Sequence, residues 1–121
     1  MNVLIVDDEG LICRSLTRAF EARGHAVRSA PDGAQGLVIW QQWQPDAVVV
    51  DVLMPGLTGP QLLQKIGPTP MTKVVLMSAY TADFDVKKAG ALGADLFLSK
   101  PFANVFEVVE RVEKLVKNKP A

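Results

Sequence analysis

Short apolar runs alternate along the chain with longer amphipathic segments. The runs are NVLIV at 2–6, AVRSA at 26–30, AVVVD at 47–51, KVVLMS at 73–78 and DLFLS at 95–99. Four of the five lack strict polar–apolar alternation, as expected of strands covered on both faces in a parallel sheet. The intervening segments have helical periodicity. In the first, Leu11, Ile12, Ser15, Leu16, Ala19 and Phe20 share a face, and Gly24 stops the helix before His25. In the second, Ala34, Leu37, Val38 and Trp40 follow a Pro31-Asp32-Gly33 start, and Pro45 ends the pattern. The third, PQLLQKIG at 60–67, is short and closed by Gly67 and the breaker Pro68-Thr69-Pro70. A fourth covers roughly 83–92 and a fifth roughly 103–117, the last with Val105, Val108, Val109, Val112, Leu115 and Val116 as its apolar stripe.

A strand–helix unit repeated five times predicts an α/β fold, a single doubly wound five-stranded parallel sheet with five helices on its two faces. Right-handed crossovers leave few topologies, and the flavodoxin-like order 2-1-3-4-5 suits a chain of 121 residues. No linker, repeat or low-complexity tract breaks the pattern, so residues 1–121 are expected to form one domain. The polar tail VKNKPA leaves open whether the domain stands alone or opens a longer protein.

Composition narrows the function. Thirteen Lys and Arg balance 13 Asp and Glu, giving a formal net charge of zero. No basic footprint for direct nucleic-acid binding is present. One cysteine, Cys13, excludes an internal disulfide. The N-terminus has no basic leader and no apolar run approaches a membrane span, so a cytoplasmic protein without membrane association is expected.

In a doubly wound sheet, ligands bind beyond the carboxyl ends of the strands, near the switch in strand order. Strand 1 ends at Asp7, Asp8 and Glu9, strand 3 at Asp51, strand 4 at Ser78 and strand 5 at Lys100 before Pro101. Taken singly, each has a plain structural explanation: a turn or helix cap for the acids and the serine, a solvated surface group for the lysine. Their occurrence on four neighbouring strand ends argues for a site. At least three carboxylates then face one ammonium, and like charges ~4 Å apart repel by roughly 4 kcal/mol at an effective dielectric of ~20. A hard divalent cation such as Mg²⁺, held by an all-oxygen set without Cys or His, relieves that repulsion. Other ligands fit less well. Asp7-Asp8-Glu9-Gly10 would repel the phosphate of FMN, and no P-loop motif is present. An aspartyl phosphatase needs a second Asp two residues after its nucleophile, where this chain has Leu53.

VDDE at 6–9, DVLMPGLTG at 51–59, LMSAY at 76–80 and FLSKPF at 97–102 together resemble the receiver domain of two-component response regulators, and the resemblance covers essentially the whole chain. It implies a phosphoacceptor switch of a phosphorelay. Asp51 would take a phosphoryl group from a sensor histidine kinase or phosphotransfer protein. Mg²⁺, or Mn²⁺ in its place, would be bound by Asp8, Asp51 and the backbone carbonyl of Leu53, with Asp7 acting through bound water. Lys100 and Ser78 would each hold a phosphoryl oxygen, and a cis Lys100–Pro101 bond would aim the ammonium into the pocket. The domain would catalyse only its own phosphorylation and dephosphorylation. The switch would run from Ser78 to Phe97, a position where Tyr is common, and would remodel the face of the fourth helix, fifth strand and fifth helix. A phosphorylation-dependent homodimer and an output domain or partner protein are further implications.

Leu53 and Tyr80, both bulky, would flank the pocket and shield the acyl phosphate from water. Cys13 reads as a core or boundary residue, His25 as a strand-edge residue without a partner, and Trp40 and Trp43 as packing residues sharing one helix face. Phe106 and Val109, with Phe84, would mark a partner surface if exposed. Two other functions compete with the switch: a phosphorylation-independent interaction module on the same fold, and an aspartyl-phosphate hydrolase. The intact set Asp7, Asp8, Asp51, Ser78 and Lys100 argues against the first, and Leu53 against the second.

Overall fold

The structure, a computed structural model, describes residues 1–54, 56–68, 71–79, 90–91 and 93–117. Strands β1 (Asn2–Val6), β2 (Ala26–Ala30), β3 (Ala47–Asp51), β4 (Lys73–Ser78) and β5 (Leu96–Ser99) form one sheet, ordered β2-β1-β3-β4-β5. Every neighbouring pair is parallel. The helices among the described residues are α1 (Gly10–Ala22), α2 (Gly33–Trp43), α3 (Gly59–Ile66) and α4 (Val105–Lys117). The helix expected over 83–92 lies outside the described residues apart from 90 and 91, which are helical. Among the described residues no helix is long and apolar enough to cross a membrane.

The pleat sends alternate residues of each strand to opposite helical layers. Val3, Ile5, Val49 and Met77 pack with Leu16 and Phe20 of α1 and Val108, Val109 and Val112 of α4. Leu4, Val6, Val48 and Val50 pack with Trp40 of α2 and Leu62 and Leu63 of α3. β3 is buried at every position. Each fully buried Val or Leu contributes about 1.5–3 kcal/mol, which makes β3 the rigid centre of the molecule.

Several expectations need correction. Leu11 is exposed rather than packed on the sheet, because α1 starts soon after β1 ends and its first turn rises at the rim. The buried face of α2 carries Gly33, Gly36 and Trp40, whereas Ala34 and Val38 face solvent. A β-carbon at Gly36 would stand 2.9 Å from Val6, and one at Gly33 would stand 2.5 Å from the Leu57 carbonyl oxygen. The helix therefore approaches β1 through Gly36 and the loop before α3 through Gly33, two positions without an apolar side chain to signal burial. Val109 is wholly buried, Phe106 is exposed, and Phe84 lies outside the described residues. His25 does have partners: its Nε2 lies 2.7 Å from Glu113 Oε2, and its ring meets Phe20 edge-on. Trp40 is core, while Trp43 receives the Arg28 guanidinium 4.7 Å from its ring centroid.

Candidate functional site

Four strands deliver their last residues to one rim. Val6 is in register with Val50, Asp51 with Met77, and Ser78 with Ser99, so Asp7, Asp51, Ser78 and Lys100 emerge at nearly one level. Asp51, Ser78 and Lys100 line a cleft of about 250 Å³ together with Asp8, Glu9, Leu53 and Ala79. Asp7, Asp51 and Ser78 are the buried polar residues of the described chain, whereas Asp8 is exposed.

The loop after β3 holds Asp51 in place. The Val52 N–H donates to the Met77 carbonyl at 2.9 Å, and the Gly59 N–H returns to the Val52 carbonyl at 3.1 Å. A β-carbon on Gly59 would stand 2.5 Å from the Asp51 carbonyl oxygen, so only glycine lets α3 start so close to the end of β3. Thr58 and Gln61 then form a reciprocal capping box with Pro60 in the first turn, which explains why so short a helix is stable there.

Lys100 reaches across the rim, and its peptide bond to Pro101 is cis. Its ammonium lies 2.7 Å from Asp7 Oδ2, 3.2 Å from Glu9 Oε1 and 3.3 Å from Asp51 Oδ2. Burial alone would lower its pKa, but the hydrogen bond to Asp7 and the charges of Asp51 and Asp7 outweigh burial and raise it. One ammonium does not balance the site. Burial, then the neighbouring charge of Asp7, pushes Asp51 up to about 6, against the opposing pull of Lys100 and a hydrogen bond from the Leu53 N–H. Beneath the site, the Cys13 thiol donates to the Asp7 carbonyl at 3.3 Å, and burial followed by the Asp7 charge raises its pKa.

Carboxylate oxygens of Asp7, Asp8 and Asp51 lie within 4.8 Å of one another. This all-oxygen cluster faces the cleft through exposed Asp8, and the charge of Asp7 adds to burial in raising Asp51. Both features fit a hard divalent cation.

The sequence-derived residues Asp7, Asp8, Asp51, Ser78 and Lys100 thus meet in one place. The Leu53 side chain is exposed at the mouth of the cleft. Tyr80 lies outside the described residues. Phe97 is half-buried against the layer of α2 and α3, in register with Leu76. Two participants escaped sequence reasoning: Glu9 as a partner of Lys100, and the Leu53 N–H as a donor to Asp51. Glu9 had only its position after the acidic pair as a signal, and the Leu53 amide had none.

A family model described as the response regulator receiver domain matches residues 3–113. The chain is 36% identical over 101 residues to the transcriptional regulatory protein CseB of Streptomyces coelicolor, covering 84% of this chain and 43% of that protein. It is 35% identical over 112 residues to the regulatory protein VanRc of Enterococcus gallinarum, covering 93% and 48%. The chain therefore spans about half the length of the curated relatives it matches. Among solved structures, a CheY-like receiver domain protein from Methanospirillum hungatei superposes with a TM-score of 0.88 at 25% identity, covering 96% of this chain and 93% of that one. The chemotaxis protein CheY4 of Vibrio cholerae gives 0.83 at 26% identity, covering 93% and 96%. Fold, strand-end chemistry and sequence likeness agree that the chain belongs to the response regulator receiver domains, the phosphoacceptor modules of two-component signal transduction.

Proposed function

We propose that Asp51 is the phosphoacceptor and that Asp7, Asp8, Ser78 and Lys100 complete its machinery. The observation that carries this reading is the position of Asp51, a buried carboxylate 3.3 Å from a buried ammonium at the edge of an open cleft. In the transfer, an Asp51 carboxylate oxygen attacks the phosphorus of a phosphohistidine on a partner. The new O–P bond forms as the P–N bond breaks, and its electron pair stays on the imidazole, which leaves neutral with its other nitrogen protonated. The Lys100 ammonium and the Ser78 hydroxyl hold phosphoryl oxygens, and the strand ends supply the fixed geometry that makes positioning effective.

Asp8 and Asp51, with the Leu53 carbonyl, would hold Mg²⁺ or Mn²⁺, and Asp7 would contact it through water. When bound, the ion neutralises phosphoryl and carboxylate charge. The domain acts only on its own phosphoryl group, and Leu53 occupies the place where a hydrolase would carry a proton-transfer acid. Exposed at the mouth of the cleft, Leu53 is proposed to shield the acyl phosphate.

Residues 1–121 are read as one receiver domain in the cytoplasm. It receives phosphate from a sensor histidine kinase or phosphotransfer protein and passes the signal to an output domain or partner. Movement of Ser78 toward the phosphoryl group, with rotation of Phe97, would transmit the change to the surface around β5 and α4, where a phosphorylation-dependent homodimer would form. Names such as transcriptional regulatory protein CseB support a signalling output of this kind.

The test is intact mass after incubation with acetyl phosphate and Mg²⁺. The parent gains one phosphoryl group, and Asp51→Asn gains none. A parent that stays unmodified would defeat the reading in favour of a phosphorylation-independent interaction module.

A further inference from the structure

Lys100 has three ammonium protons, and three carboxylates stand within reach of them: Asp7 at 2.7 Å, Glu9 at 3.2 Å and Asp51 at 3.3 Å. The three are not equivalent. The side chain of Asp7 is 0% exposed and that of Asp51 7%, whereas that of Glu9 is 58% exposed. The backbone sets the place of Glu9. It is the residue that precedes α1, with extended φ −87° and ψ 105°, and its N–H donates to Asp7 Oδ1 at 2.8 Å. Its side chain does not cap the helix and extends to Lys100 instead.

We propose that Glu9 is a positioning residue for the phosphoacceptor reaction. It occupies Lys100 through the one carboxylate that is easily released, and so competes with the phosphoryl oxygen that Lys100 must later bind. This rests on the reading of Asp51 as acceptor.

The preference for Glu9 follows from burial. Phosphorylation turns the Asp51 carboxylate into an acyl phosphate and moves its negative charge outward onto the phosphoryl oxygens, so the ammonium must follow that charge away from one of its two other partners. Drawing it from Asp7 would strand a buried charge without its partner, a heavily penalised change. Drawing it from Glu9 leaves a carboxylate that water already solvates, so that contact is released at the smaller cost. Glu9 is therefore the contact exchanged. In the unphosphorylated protein it steadies the ammonium near the site while adding little to the barrier for giving it up.

Removing the competitor should tighten binding of a phosphoryl mimic by about two- to five-fold, the range that losing an exposed ion pair spans. The experiment titrates beryllofluoride, at Mg²⁺ shown to be saturating for each protein, into the parent, Glu9→Gln and Glu9→Asp at low and high salt. Glu9→Asp keeps the charge but is one methylene too short to keep the contact. Both variants should bind more tightly than the parent, with the gap closing at high salt. In metal-free protein, the Lys100 side-chain nitrogen resonance should shift in both. Tighter binding by Glu9→Gln with parental binding by Glu9→Asp would show a field effect and overturn the contact. Unchanged or weaker binding in both, or an unshifted resonance, would overturn it as well. A parent that binds no beryllofluoride defeats the acceptor reading, and the inference with it.

Discussion

Asp51 is held where an ionised carboxylate is uncomfortable, and that has a thermodynamic signature. Its pKa rises from 3.8 in an open aspartate to about 6, mainly through burial and then through Asp7. The folded protein thus holds a proton that the unfolded chain has already released. Stability falls as pH rises between those values, and the penalty persists above about 6. The gap corresponds to at most about 3 kcal/mol. Asp51→Asn, which has no charge to bury, should therefore be more stable than the parent at pH 7 in EDTA by about 1–3 kcal/mol, and the difference should vanish below pH ~4. Urea denaturation at several pH values measures it, and a variant less stable than the parent at pH 7 would contradict the electrostatic account. Gly59 offers a steric counterpart. Gly59→Ala would force a β-carbon against the Asp51 carbonyl, at a cost of about 1–3 kcal/mol. The amide resonances of residues 51 and 52 should shift with the loss, and a variant with parental stability would show that the loop can yield. At this scale Asp7, Asp8, Asp51, Ser78 and Lys100 were legible because strand ends can be located in sequence. The Glu9–Lys100 contact was not, because it depends on a side-chain conformation spanning two strand ends.

Elements reveal a device repeated at two strand entries. Asp46, just before β3, accepts the Asn2 N–H at 2.8 Å, and its own N–H donates to the Asn2 carbonyl. Asp95, just before β5, does the same with Val74: the carboxylate accepts the Val74 N–H at 2.8 Å and the backbone N–H returns to the Val74 carbonyl at 2.7 Å. Each aspartate pairs an amide at the start of a parallel strand that would otherwise lack a partner. Asp95→Ala should cost about 1–2 kcal/mol because it leaves the amide of buried Val74 unpaired. Asp95→Asn, which keeps an acceptor, should recover most of that loss in thermal or urea denaturation. Equal losses in both variants would assign the effect to the nearby Lys73 charge instead. Strands and helix ends were readable from runs, Gly24, Asp32 and Gly67. The buried face of α2 was not, because glycine carries no apolar side chain to count, and its value lies in how closely Val6 approaches it.

At the scale of the whole molecule, a polar link ties the turn before β2 to α4. Arg23 and His25, at the turn into β2, both meet Glu113 on α4, at 2.8 Å and 2.7 Å. The hydrogen bond from His25, followed by the charge of Arg23, holds the Glu113 carboxyl below its usual range. With a depressed folded pKa, this contribution is present above the ordinary carboxylate pKa and is lost as pH falls through the lowered one. Glu113→Gln should cost about 0.5–1 kcal/mol at pH 7, with parent and variant converging toward pH 3. A difference that persists in acid would point to packing rather than charge.

Local pattern along the chain carried the β-α repeat, the strand order and the five strand-end residues. Those features depend on local periodicity and on the handedness of the crossovers, which act through neighbours along the chain. Which carboxylates share Lys100, how far Asp51 is lifted, which face of α2 turns inward and where His25 finds its partner emerged with the folded arrangement. Such outcomes depend on distances and burial between residues far apart in sequence, and electrostatic energies follow those quantities rather than residue type alone.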